Sequence, residues 1–292
     1  MNYNDIKDPL FLSAVNAVDE GNLLLLKQLV STNPRLVTER LHYPEGHYFK
    51  DPYLLWFVAD NPIRIPQLPA NIVAITKMLT DAAQQYSPSN FQEQIGYALG
   101  LVTTGRIPRE CGVQIALMDV LIDAGAIAGK GHGALAHGNL EAAAHLVKRG
   151  GPLTLATAIC LDKTNEATLL IKESTKDDRE TALVAAAFYG KANAIKWLLE
   201  YDVDINAYPK EESGFHWHAT ALHQAVYSGS IEIVSLLVNA GADLQLRDRI
   251  YNGTPLGWAE YAQTEDGCSI EQKEKYAAIA ELLRNAAQKK NE

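Results

Sequence analysis

The sequence predicts an all-α solenoid of about eight helix-turn-helix units, stacked side by side and joined by extended finger loops. Three observations lead there. A template, Thr220-Ala-Leu222-His223-Gln-Ala225 followed by Gly229, Val234, Leu237 and Gly241-Ala-Asp243, slides back onto Thr181-Ala-Leu183-Val-Ala-Ala186, Gly190, Ile195, Leu198 and Asp202-Val-Asp204. It slides forward onto Thr254-Pro255-Leu256-Gly-Trp-Ala259, with Ile279, Leu282 and Ala286. Within each copy the small and aliphatic residues fall at helical spacing, between helix-starting threonines and helix-ending glycines. A fixed period of this kind marks stacked repeats, none of which can bury its apolar face alone.

The elements follow in order from the N-terminus. Ala14, Ala17, Gly21, Leu26, Leu29 and Asn33 fill the slots of a first unit, opened by Asp8 as cap and Pro9 at the first helical position. Asp51-Pro52 reads as the same start. The next two units show chiefly in their second helices, Ile75 to Leu79 and Met118 to Gly125. Ala134, Gly138, Ala143, Leu146 and Gly150 form another, and Leu155, Ala158, Asp162, Ala167 and Leu170 a shorter one. Thr181, Thr220 and Thr254 are placed as N-caps, with Pro255 where a missing N–H costs nothing. Gly125, Gly150 and Gly241 fall just past a helix, where left-handed backbone is wanted, and Asn33 substitutes in the first unit. Gly129-Lys-Gly-His-Gly133 reads as a linker between units.

Gly253-Thr-Pro-Leu256, Thr220-Ala-Leu-His223 and the Gly-Ala-Asp ending at 241–243 resemble the ankyrin repeat. The resemblance covers residues 1–292 as a single solenoid, well matched over 179–292 and degenerate, with insertions, over 1–178, in a bacterial-type pattern. It implies a non-catalytic scaffold that binds a protein or peptide on its concave side, through the fingers and the two residues before the glycine ending each first helix. Those pairs are Phe188-Tyr189, Tyr227-Ser228 and Tyr261-Ala262, with Tyr251 in a finger beside them. In the first unit the pair is Asp19-Glu20, which implies an acidic end to the groove. His223 takes the place of an imidazole that serves hydrogen bonds between adjacent fingers.

Departures from the period are informative. Insertions at Pro62–Pro69, Thr104–Gly112 and Glu265–Glu274 are expected as loops, the first two because their prolines oppose helix continuation. Two fingers are long. Gly190 to Gly229 spans 39 residues against 28 from Asp162 to Gly190, and the excess is Ala207-Tyr-Pro-Lys-Glu-Glu-Ser-Gly-Phe215-His216-Trp217-His218. A similar text precedes it: Leu41-His-Tyr43-Pro-Glu-Gly-His47-Tyr48-Phe49-Lys-Asp51. Strand alternation sets Phe215 and Trp217 on one face and His216 and His218 on the other. The aromatics either fold back as local core or are displayed as contacts of the kind enriched at interfaces. The candidate partner-binding set is therefore Phe188, Tyr189, Phe215, His216, Trp217, His218, Tyr227, Tyr251, Tyr261, Tyr43, His47, Tyr48 and Phe49. An alternative reading makes the Phe215 to His218 finger a small-molecule or metal-binding sensor, and a further one is a secreted effector acting by partner binding.

Composition sets the remaining expectations. A formal net charge of −9 disfavours a phosphate backbone as partner. No apolar run long enough to span a bilayer and no signal-peptide pattern is read, so a cytoplasmic monomer without membrane contact is expected. The cysteines Cys111, Cys160 and Cys268 are odd in number and widely spaced, which favours free thiols over a disulfide or zinc framework. No phosphate-cradling glycine loop, activated nucleophile or metal spacing is read, so no enzyme and no cofactor are expected. The carboxylate pairs Asp177-Asp178 and Glu211-Glu212 read as solvated turns.

Overall fold

The computed structural model describes residues 5–43 and 47–289, so Pro44, Glu45 and Gly46 of the first finger lie outside the described residues. Among the described residues the regular structure is helical throughout, with no strand. The chain divides into two units, Met1–Gly129 with His145–Gly151, and Lys130–Ala144 with Pro152–Glu292.

The first unit contains α1 (Pro9–Asp19), α2 (Leu23–Thr32), α3 (Arg35–Thr38), α4 (Ile72–Tyr86), α5 (Phe91–Thr104), α6 (Arg106–Glu110) and α7 (Gln114–Asp123). Asp8 caps α1 by accepting the Leu10 and Phe11 amides at 2.9 and 3.2 Å, and Arg35 braces the same carboxylate at 2.7 Å. Between α3 and α4 a 3-10 segment, Leu54–Ala59, is buried at every residue and packs on α1, α4 and α5. Four expectations change here. Asp51 does not cap a helix; it has φ +44, and its side chain accepts the Tyr43 amide at 2.7 Å, closing the finger on itself. Asn33 ends α2 at φ −136°, outside the left-handed region, with its side-chain amide donating to the Leu29 carbonyl. The 104–112 insertion contains α6, because Pro108 falls in the first turn, where no helical N–H is needed. Asp19 is not a groove acid. Arg64, folded back from the Pro62–Pro69 loop, binds it at 2.8 Å with both side chains nearly fully enclosed.

The second unit is built of helix pairs. Its inner helices are α8 (His132–Ala136), α10 (Leu155–Cys160), α12 (Lys176–Phe188), α14 (Ala221–Tyr227) and α16 (Pro255–Ala262). Each packs on the next, and the outer helices α11 (Thr164–Glu173), α13 (Ala192–Leu198), α15 (Ile231–Asn239) and α17 (Ile270–Lys289) pair back onto α10, α12, α14 and α16. Helix α9 (Leu140–Lys148) gives its first half to this unit and its last turn to the first. Thr254 caps α16 through the Gly257 amide at 3.1 Å, with Pro255 at the first helical position. Thr220 occupies the cap position of α14, but its hydroxyl serves His223 instead. Thr181 is interior to α12, because Thr175 and Asp178 form a capping box that starts the helix earlier. Asp177-Asp178 therefore stands in a first helical turn. The 129–133 stretch is not a linker, since His132 opens α8 and is buried. The last insertion is a loop only as far as Ser269, where α17 begins.

Candidate interaction surface

Three inner helices of the second unit contain long enclosed stretches. All six residues of α10, Thr181–Ala187 of α12 and Ala221–Val226 of α14 are buried. Part of the cover is the long finger. Lys210 forms an ion pair with Asp177 in the first turn of α12. The Ser213 carbonyl lies 2.6 Å from His132 Nδ1 at the start of α8. After a turn at Gly214 (φ +72), whose absent Cβ would stand 3.8 Å from that of His132, the chain delivers Phe215 to a site where it is 0% exposed. The Phe215 ring meets Phe188, at the end of α12, edge-on at 5.8 Å.

Imidazoles hold this arrangement, and hydrogen bonding assigns their tautomers. A carbonyl can only accept, so His132 carries its proton on Nδ1, and its Nε2 accepts from the Thr154 hydroxyl at 2.7 Å. His223 is protonated on the other nitrogen: Nε2 donates to the Gly253 carbonyl at 3.1 Å in the next finger, and Nδ1 accepts from Thr220 at 2.8 Å. Burial pushes the pKa of both rings down. His216 is held down to about 4, first by burial and then by the neighbouring His218 and His137. Its ring packs 5.0 Å from Phe188 and 5.8 Å from His218, its backbone is left-handed at φ +36, and its buried Nε2 has no hydrogen-bond partner.

The sequence-derived residues separate into three groups. Phe215 and Phe49 are fully buried and Tyr43 is 9% exposed, so all three are corrected from contacts to core. Phe49 packs on Phe57 at 5.2 Å and on Trp56 at 6.3 Å. Phe188, Tyr189, His216, Trp217 and His218 are half-buried. Phe188 stacks on Tyr227 at 5.5 Å and 12°, the Tyr189 hydroxyl donates to the Leu135 carbonyl at 2.7 Å, and the rings of Trp217 and His218 meet at 6.1 Å. The finger is not a strand, because the turn at His216 breaks the alternation that set its faces. Exposed are Tyr227, Tyr251 and Tyr261, at 60%, 77% and 67%, from consecutive repeats. In the first unit His47 and Tyr48 are exposed, the latter tied to Asn61 at 2.9 Å.

Sequence reasoning missed two residues that shape the surface. One is His132, whose only signal was an imidazole among glycines. The other is Asp248, which is 3% exposed and accepts from the Ile250, Tyr251 and Gly253 amides and the Trp258 indole at 2.6–3.0 Å. Its spacing of five residues to Gly253 was a legible turn signal. Asp248 fixes the finger that displays Tyr251, and Gly253 allows it, since a Cβ there would meet the Trp258 ring at 2.9 Å. Cys160 is buried, and burial pushes its thiol up to about 12, where it is no nucleophile at neutral pH. Among the described residues no group of three or more His, Cys, Asp or Glu side chains is placed to hold a metal ion. No helix among them is long and apolar enough to cross a membrane.

Comparison with known proteins agrees with the helix-pair geometry of the second unit. Residues 131–248 match the family model of ankyrin repeats, in three copies. A stretch of 70 residues is 43% identical to the ankyrin repeat and SAM domain-containing protein 6 of Rattus norvegicus and 41% identical to that of Mus musculus, covering 24% of this chain. The match spans only 7% of those proteins' length. Among solved structures, the human ASB11 ankyrin repeat domain aligns over 94% of this chain and 98% of its own, at 17% identity and a TM-score of 0.32.

Proposed function

We propose that the chain is a non-catalytic binding module, a single ankyrin-type solenoid that recognises a protein or peptide through the aromatic rim of its second unit. Ankyrin repeats are generally protein-binding scaffolds, and residues 131–248 carry them. The observation that supports this particular surface is the display of Tyr227, Tyr251 and Tyr261 at 60–77% exposure on consecutive repeats. Exposed tyrosines combine a broad apolar face with a polar tip and lose little conformational entropy on binding, which suits them to recognition. Tyr227 keeps this exposure while one face of its ring stacks on Phe188 at 5.5 Å. The tyrosine rings and an acidic unit favour a partner with cationic or apolar anchors: the second unit has 22 acidic against 15 basic residues, seven of the nine net negative charges of the chain. A monomeric protein acting in the cytoplasm, without cofactor, nucleic acid or membrane, completes the proposal.

The test is affinity capture with the intact chain and with a Tyr227→Ser, Tyr251→Ser, Tyr261→Ser variant matched for melting temperature. A partner retained by the intact chain and lost by the variant supports the rim as the contact surface. Identical capture by both proteins sinks it.

A further inference from the structure

The long finger is seated on the inner helices in the manner of a bound peptide. Three groups make the seating, each met by a complementary group: the Lys210 ammonium by the Asp177 carboxylate, the Ser213 carbonyl by the His132 Nδ1–H at 2.6 Å, and the Phe215 ring by an enclosed site edged by Phe188 at 5.8 Å. A cation, a backbone acceptor and an aromatic anchor, in that order along a short segment that turns through a 3-10 helix at Glu211–Ser213, are features by which grooves recognise peptides. The extra finger length is used for these contacts, because Lys210, Ser213 and Phe215 all lie within the additional stretch 207–218.

We infer that the inner-helix face between His132 and Phe188 is a peptide-binding groove, occupied in the free chain by its own finger. The partner it takes is a peptide with a basic side chain followed five residues later by an aromatic one, the spacing of Lys210 and Phe215, turned between them as the finger is at Glu211–Ser213. This rests on the reading of the chain as a binding module and specifies its partner. The finger's own seating carries two costs that a peptide in trans avoids. His216 sits in left-handed backbone, disfavoured for a non-glycine residue, and its Nε2 is buried without a partner. An incoming peptide with the same anchors and a relaxed backbone at that position is spared both costs, which offset part of the finger's advantage of being tethered in place.

The probe is a fluorescein-labelled synthetic peptide with the sequence of residues 207–218, titrated by anisotropy. Three proteins are compared: the intact chain, a Lys210→Ala, Phe215→Ala chain with the finger's anchors removed, and a chain with residues 208–217 replaced by a short Gly-Ser link. The anchor-free proteins are expected to bind the peptide at least tenfold more tightly than the intact chain. Peptides carrying Glu at the Lys210 position or Ala at the Phe215 position are expected to bind at least tenfold more weakly. If the link replacement does not fold, the double substitution carries the test, and circular dichroism with a cooperative melt establishes that it is native. A folded anchor-free chain that binds no better than the intact one, or that binds all three peptides alike, overturns the inference. Those results alongside partner loss in the tyrosine variant would leave the rim reading standing. Peptide binding alongside unchanged capture would do the reverse.

Discussion

Arg64 lies between two carboxylates where water does not reach. Its side chain is 1% exposed, that of Asp19 5% and that of Asp60 0%. The guanidinium donates to Asp19 through Nε at 3.2 Å and through Nη2 at 2.8 Å, and to the Phe57 carbonyl at 2.7 Å, while its Cζ lies 4.9 Å from the Phe57 ring centroid. Satisfaction is incomplete, because Asp60 Oδ2 and Arg64 Nη1 have no hydrogen-bond partner. Burial raises the Asp60 pKa, and this outweighs the lowering by Arg64. Removing one member of such a group strands the others. Arg64→Met is expected to cost about 3–5 kcal/mol in urea unfolding, whereas Asp60→Asn, which keeps the shape and drops a buried charge, costs far less. Equal losses would show that packing, not charge, dominates the site. Spacing alone placed Asp19 at a groove edge, because the loop that neutralises it enters from 45 residues away.

At the scale of elements, caps and turn hubs decide where helices begin and which rings they present. Asp248 is the hub of the last finger, with four donors converging on one carboxylate. Burial pushes its pKa up, but the Tyr251, Gly253 and Ile250 amides and the Trp258 indole outweigh burial and hold it below the ordinary value. A depressed carboxylate stabilises the fold above its unfolded pKa, near 3.9, and that contribution is lost as pH falls through the folded value. Asp248→Ala leaves the donors without their acceptor, and a loss of at least about 3 kcal/mol in thermal unfolding is expected. A loss under about 1 kcal/mol would mean that water replaces the carboxylate. The helix starts at Pro9 and Pro255 were legible because their caps lie in adjacent residues. The start of α12 was misplaced at Thr181, because the template aligns that threonine with Thr220 while the capping box sits six and three residues earlier, at Thr175 and Asp178.

At the scale of the whole molecule, the second unit depends on imidazoles staying neutral. Burial lowers the pKa of His132, His216, His218 and His223 alike. In the window below about 6.5 the unfolded chain takes up protons that the folded rings resist, so stability is full above that pH and falls as pH drops toward each folded value. For His216, at about 4, the loss is on the order of 3 kcal/mol. The melting temperature is expected to fall steadily from pH 7 to pH 4.5, and His216→Asn, which tolerates left-handed backbone, should flatten part of that fall. A melting temperature that does not change over this range would contradict the neutral-imidazole account. By itself the sequence determined the all-helical class, the repeat period of the second unit and the threonine, proline and glycine punctuation of its last repeats. These depend on neighbours three or four residues away, or one repeat away, and leave a periodic trace. Only the tertiary structure decided that Phe215, Phe49 and Tyr43 are core, that Tyr227, Tyr251 and Tyr261 are displayed, and that the long finger lies back across α8 and α12. Those outcomes depend on contacts such as Ser213 with His132, between residues far apart in the chain that no local pattern records.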